Sequence, residues 1–185
     1  MMVEKKQDIL QRNLLKFYAN DVQMKKLCFL LSKNSDVSLR EWDFLCTHYT
    51  KTHNVLYYIE NSIGKRELIN LNMNYRSQLK AYSKANFDPF KRHNRITVPC
   101  KYADTKTIET TCGQLCFFKF VIEKDMYEWL KKSKNLENLR HDMNQYSKKR
   151  RTSTQVARSV SNNSVSTPKG NKSISRHDVN ITVFF

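Results

Sequence analysis

The chain has 185 residues, with 33 Lys and Arg against 17 Asp and Glu, for a formal net charge of +16. A surplus of that size points to a polyanionic partner, while 39% hydrophobic and 11% aromatic residues can build an ordinary core and exclude a bare histone-like or protamine-like tail. Only three Gly and three Pro are present, which argues against a loop-rich β-sandwich and against a Gly-rich phosphate cradle.

The first elements read as helices. Ile9, Leu10, Leu14, Phe17 and Tyr18 recur at helical spacing from Glu4 to about Asn20, and Asp21 is placed to cap a second helix carrying Val22, Met24, Leu27, Leu30 and Leu31. Asn34, Ser35 and Asp36 interrupt the pattern. Ser38 followed by Glu41 then has the spacing of a capping box and opens a third helix through Trp42, Leu45, Cys46 and Tyr49. Val55–Ile59 reads as a buried strand, with a turn around Gly64 and a partner strand from Glu67 to Leu71.

Residues 72–84 return to helical period, with Arg76, Lys80 and Lys84 grouped on one face. Pro89 ends that helix because it disfavours helical backbone at Asp88. Ile96–Val98 and Thr107–Ile108 are short strands. Thr111 and Gln114 again fit a capping box, ahead of Leu115, Phe117, Phe118, Val121 and Ile122, the most apolar helix and the expected centre of the core. Met126, Trp129, Leu130, Leu136, Leu139 and Met143 carry helical periodicity to about Tyr146. The expected fold class is α+β: one compact helix-rich domain with a small sheet over residues 1–146.

Past Ser147 the composition becomes basic and rich in Ser, Thr and Asn, so residues 147–176 are expected to form a disordered linker. Residues 177–185 end in an alternating, β-branched run from Val179 to Phe185, expected as a strand that docks on its own sheet or on a neighbouring molecule.

Charge is unevenly distributed along the chain. Residues 71–106 carry +6, residues 147–185 carry +7, and residues 107–146 are neutral. Within the first of these, Arg76, Lys80, Lys84, Lys91, Arg92, His93, Arg95 and Lys101 alternate with Tyr75, Tyr82, Phe87, Phe90 and Tyr102. Basic groups suit phosphate oxygens and exposed rings suit unpaired bases. The competing reading makes the rings core and the charges a solvated face. Lys148, Lys149, Arg150 and Arg151 add a basic run that fits a phosphate tether, a nuclear import signal or a solubilising tail.

Other chemistries find less support. His93, Cys100, Cys112 and Cys116 could compose a zinc set by residue type, but there is no CxxC and no metal site is expected. No nucleophile elbow, Gly-rich loop with Lys or HExxH is present, so neither a catalytic residue nor a cofactor is assigned. A spatial cluster of Asp43, Asp88 and Asp104 would revive an enzymatic reading. The longest apolar runs, such as Leu27–Leu31, fall short of the roughly 20 residues of a membrane span. Met1–Lys6 leads into polar sequence without the apolar stretch of a secretory signal, so the expected setting is intracellular and reducing, away from membranes; the cysteines, Cys28, Cys46, Cys100, Cys112 and Cys116, are odd in number and several sit in apolar stretches as free thiols do.

Three groups of segments carry a resemblance: Ser38–Asp43 with Thr47–Lys51, Tyr75–Lys84 with Phe87–Phe90, and Thr110–Leu115 with Phe117 and Phe118. In these the chain resembles a group of small uncharacterised proteins of large nucleocytoplasmic DNA viruses, over about residues 38–125 and the final strand. The resemblance implies a viral source and a replication or assembly setting in the host cytoplasm or nucleus, with packaging in the virion a further option. It brings no assigned site. The expected function is a non-enzymatic, DNA-associating viral protein that contacts phosphates through Arg76, Lys80, Lys84, Lys91, Arg92 and Arg95, with Lys148–Arg151 as auxiliary tether. The alternative is a virion assembly protein that meets acidic protein partners and self-associates through its C-terminal strand.

Overall fold

The computed structural model describes residues 6–32, 34–60 and 64–162, with side chains described as far as residue 150. Its architecture is helix-rich α+β, as the periodicity predicts, with two separate two-stranded antiparallel sheets in place of one. Helices α1 (Lys6–Tyr18) and α2 (Asp21–Leu31) form a pair, and the Asn20 side chain caps α2 by accepting from the Val22 and Gln23 amides. Helix α3 (Leu39–Phe44) starts from Ser38 with the expected capping box. The Ser38 amide donates to Glu41 Oε2 at 2.6 Å and the Glu41 amide donates to Ser38 Oγ at 3.3 Å. Helical backbone continues through a π turn (Leu45–Tyr49) into α4 (Thr50–Thr52), burying Trp42, Leu45, Cys46 and Tyr49.

Strands β1 (Leu56–Glu60) and β2 (Arg66–Asn70) pair with Tyr58 opposite Leu68. Helix α5 (Leu71–Tyr82) follows directly, its first turn capped by the Asn70 side chain. It is shorter than the sequence predicts, because Ser83 takes a positive φ of 63° and diverts the chain into a 3-10 turn (Lys84–Asn86) well before Pro89. Strands β3 (Arg95–Pro99) and β4 (Thr107–Thr111) pair with Thr97 opposite Glu109. Helix α6 (Cys112–Glu123) buries nine of its twelve residues, which confirms it as the centre of the core. The periodicity from Met126 to Tyr146 resolves into two helices, α7 (Met126–Lys131) and α8 (Asn135–Asn162), parted by Ser133 at φ 55°.

Helix α8 extends to Asn162 and so takes in the first residues of the segment 147–176. Between Ser147 and Pro168 there is no Gly or Pro, and Lys148, Lys149, Arg150, Gln155 and Ala157 all extend an already nucleated helix at little cost. Residues 163–185, including the expected terminal strand, lie outside the described residues. The chain divides into two units between Ser147 and Lys148. Among the described residues no helix is long and apolar enough to cross a membrane.

Against the expected reducing setting, Cys28 and Cys100 are joined as a disulfide across 72 residues, while Cys46, Cys112 and Cys116 are free and buried. Sequence spacing offers no way to find such a pair. The turn after Cys100 is also held to α2 by Asp21, which accepts from Lys101 Nζ at 2.7 Å and from the Tyr102 hydroxyl at 2.5 Å. These hydrogen bonds hold the Asp21 carboxyl below its usual range.

Arg140 of α8 completes the α3 cap by donating from Nε to Glu41 Oε1 at 2.6 Å and from its guanidinium to the Asp36 carbonyl. Burial works against an ionised Glu41, but the hydrogen bonds from Arg140 and Ser38 outweigh it and its pKa is lowered. The ionised carboxylate therefore stabilises the fold above about pH 4.3, the ordinary Glu value, and that contribution disappears as pH falls through the lower folded value. Arg140→Ala leaves a buried carboxylate short of a partner. It should cost about 1–3 kcal/mol at pH 7 in urea denaturation and much less once Glu41 is protonated; an equal loss at pH 7 and pH 3 would contradict this account.

Candidate nucleic-acid interface

The basic central stretch is organised by a joint between the segment Phe87–Lys91 and the first turn of α6. Phe87 is 2% exposed and its ring sits among Tyr75, Tyr82, Phe117 and Phe120, with centroids 5.6 to 6.2 Å away. Asp88 then forms a turn, its Oδ1 accepting from the Phe90 amide at 2.8 Å and its carbonyl from the Lys91 amide at 3.3 Å. Pro89 is buried, and its carbonyl accepts from Gln114 Nε2 at 2.9 Å. The Thr111 hydroxyl donates to the Lys91 carbonyl at 3.4 Å and accepts from the Gln114 amide at 3.2 Å, capping α6. Half of the expected capping box thus forms. The Gln114 side chain reaches the loop and the Thr110 hydroxyl instead of folding back on the cap.

Gly113 permits this close approach. A Cβ built there would lie 3.2 Å from the Asp88 carbonyl oxygen and 3.1 Å from Lys91 Cδ. The backbone carbonyl has little room to retreat, since Asp88 is held on both sides of its turn.

Three of the six expected contact residues of the domain converge here. Lys91, Arg92 and Arg95 line one pocket of about 180 Å³ with Phe90, Thr110 and Gln114. Arg92 is exposed. Arg95 donates to Glu109 Oε2 at 2.8 Å across the β3–β4 sheet, an exposed pair of the kind that contributes at most about 1 kcal/mol and yields readily to a phosphate. Lys91 Nζ donates to the Ala85 carbonyl at 2.7 Å, leaving two of its three protons for another acceptor.

Arg76, Lys80 and Lys84 do not line that pocket. Arg76 and Lys80 share an exposed face of α5 at i, i+4 spacing, whereas Lys84 leaves the helix at the Ser83 bend and stands in the 3-10 turn. Lys101 is paired with Asp21. Lys148, Lys149 and Arg150 lie on α8 in the second unit, and the Arg151 side chain lies outside the described residues. The rings divide: Phe87 and Tyr75 are core, Tyr82 is half-buried, and Phe90 and Tyr102 are exposed. Thr110, Thr111, Gln114 and Glu109 were not identifiable as pocket residues from sequence, where Thr111 and Gln114 carry only a capping signal.

The acidic trio separates. Asp43 and Asp88 lie near enough to influence each other, and burial pushes the Asp43 carboxyl up, with Asp88 adding to the shift and His48 and Lys84 opposing it. Asp104 stays exposed in the β3–β4 turn. His93 is exposed, Cys100 is bonded to Cys28, and Cys112 and Cys116 are buried in α6. Among the described residues no three His, Cys, Asp or Glu side chains gather as a ligand set. A larger, apolar pocket of about 380 Å³ lies between α2 and the α6–α7 turn, lined by Val22, Phe29, Leu30, Val121 and Ile122, and includes none of the expected contact residues.

The chain matches the sequence profile of DUF7197, a family of unknown function, over residues 2–183. It is 30% identical over 157 residues to uncharacterized protein L507 of Acanthamoeba polyphaga mimivirus, covering 82% of this chain and 58% of the mimivirus protein. The chain therefore spans a little over half the length of that curated relative. Resemblance to proteins of large DNA viruses is thereby established, and it reaches well beyond residues 38–125. No solved structure matches.

The joint predicts opposite behaviour for two phenylalanines three residues apart. Phe87→Ala should cost about 3–5 kcal/mol of stability and Phe90→Ala less than about 0.5 kcal/mol. Gly113→Val should lower stability by about 1–3 kcal/mol through overpacking. Chemical denaturation checks all three, and a Phe90 variant as damaging as the Phe87 variant would contradict the assignment.

Proposed function

This chain belongs to DUF7197, a family of unknown function, and from the geometry of its basic loop we propose that it is a non-enzymatic protein that associates with DNA by contacting phosphates. The observation that carries this reading is the convergence of Lys91, Arg92 and Arg95 on one polar pocket beside an exposed ring. Arg76, Lys80 and Arg92 make no ion pair among the described residues, so their charge is available to an anion. Lys91, Arg92 and Arg95 form the central contact, Arg76, Lys80 and Lys84 extend it, and Lys148–Arg151 act as an auxiliary tether that raises local concentration without reading sequence. An intracellular setting in an infected cell follows from this reading together with the viral resemblance.

One observation favours the assembly alternative. Leu56, Tyr58 and Leu68 stand exposed on a single face of the β1–β2 hairpin, an apolar patch of the type that marks protein interfaces.

Filter binding of the full chain to duplex DNA across a salt series separates the two. The DNA reading predicts log K falling linearly with log salt, and Arg92→Ala with Arg95→Ala should flatten the slope by about 1 for each phosphate that is no longer neutralised. Absence of binding at low salt, or salt-insensitive binding, would overturn it in favour of assembly.

A further inference from the structure

We infer that the Phe90 ring stacks on an unpaired base, so that the preferred ligand of the basic loop is single-stranded nucleic acid; this rests on the phosphate-binding reading above. The ring's placement is the first argument. Phe87 is drawn fully into the core, yet Phe90, only three residues on, is 42% exposed.

The loop's rigidity is the second. Hydrogen bonds from the Phe90 and Lys91 amides to Asp88, from Gln114 to Pro89, from Thr111 to Lys91 and from Lys91 Nζ to Ala85 fix the backbone on both sides of the ring. A backbone held this firmly lowers the ordering cost that a ligand meets on stacking against the ring it carries.

The third argument is the pocket that the ring borders. The pocket has a volume of about 180 Å³, and Phe90 forms part of its rim. The walls hold polar groups of both kinds, chiefly the exposed Arg95–Glu109 pair, which can open towards a base edge, while the Thr110 hydroxyl is spent on Gln114. Arg92 stands beside them for the phosphate that flanks the base. In a duplex the base faces are already stacked, so the ring has none to stack on, and contact is left to phosphates and groove edges.

Fluorescence anisotropy with the full-length chain tests this directly, using labelled oligothymidylate and a duplex of equal length at one fixed salt concentration. The wild type should bind the single strand more tightly. Phe90→Ala should weaken single-strand binding roughly ten- to a hundred-fold while duplex binding changes less than about twofold, and Phe90→Trp should restore the single-strand affinity. If Phe90→Ala changes neither affinity, or reduces both equally, the stacking inference is overturned and the phosphate reading stands. If the wild type binds neither oligonucleotide, the phosphate reading itself fails.

Discussion

Helix α6 has almost no solvent face, and the rest of the domain is arranged to cover it. Cys112, Gly113, Leu115, Cys116, Phe117, Phe118, Phe120, Val121 and Ile122 are all buried, a pattern that a two-faced surface helix cannot have. Helices α1, α2 and α7, strand β4 and the 3-10 turn all touch it. Tyr18 shows how complete the enclosure is: its hydroxyl donates to the Leu115 carbonyl at 2.8 Å, and burial pushes its pKa far upward. A helix held this way offers its neighbours a fixed reference, and the basic loop uses it. Through Phe87 on one flank and Gln114, Thr111 and Gly113 on the other, residues 87–91 become part of the core's rim.

Much of this was legible in the sequence because the signals were local. The Ser38–Glu41 spacing became a complete capping box, the apolar density after Thr111 became the central helix, and the run Val55–Ile59 held β1, though as a strand alternating between exposed and half-buried rather than a buried one. What could not be read depended on partners distant in sequence. Gln114 carries the same signature whether its amide folds back on its own helix or reaches Pro89, 25 residues away. Likewise nothing in the spacing of Cys28 and Cys100 announces their bond, and nothing near Glu41 announces Arg140, 99 residues on. The helix ends at Tyr82 and Lys131 escaped for another reason. Both are set by non-Gly residues, Ser83 and Ser133, at positive φ, an uncommon conformation with no composition signal of the kind Gly would give.

The charge of the central stretch proves to be divided in role. Lys101 ties a turn to α2 through an exposed pair with Asp21 and Lys91 lends one hydrogen bond to the 3-10 turn, whereas Arg76, Lys80 and Arg92 stand without ion-pair partners among the described residues. Arg95 is intermediate, since its exposed pair with Glu109 is of a strength that a phosphate readily displaces. This division explains why a surplus of positive charge can both stabilise a fold and leave a contact surface. The pocket lined by Lys91, Arg92 and Arg95 marks the centre of the candidate interface, with Arg76 and Lys80 on the exposed face of α5 outside it.

Photocrosslinking at that centre is the most direct measurement. An oligothymidylate carrying a photoreactive base, irradiated with the full-length chain and digested for mass spectrometry, should place its adducts on the peptide containing Phe90. Adducts confined to residues 148–158, or spread without preference over the lysine-bearing surface, would contradict the claim that the Phe87–Lys91 joint builds the binding site.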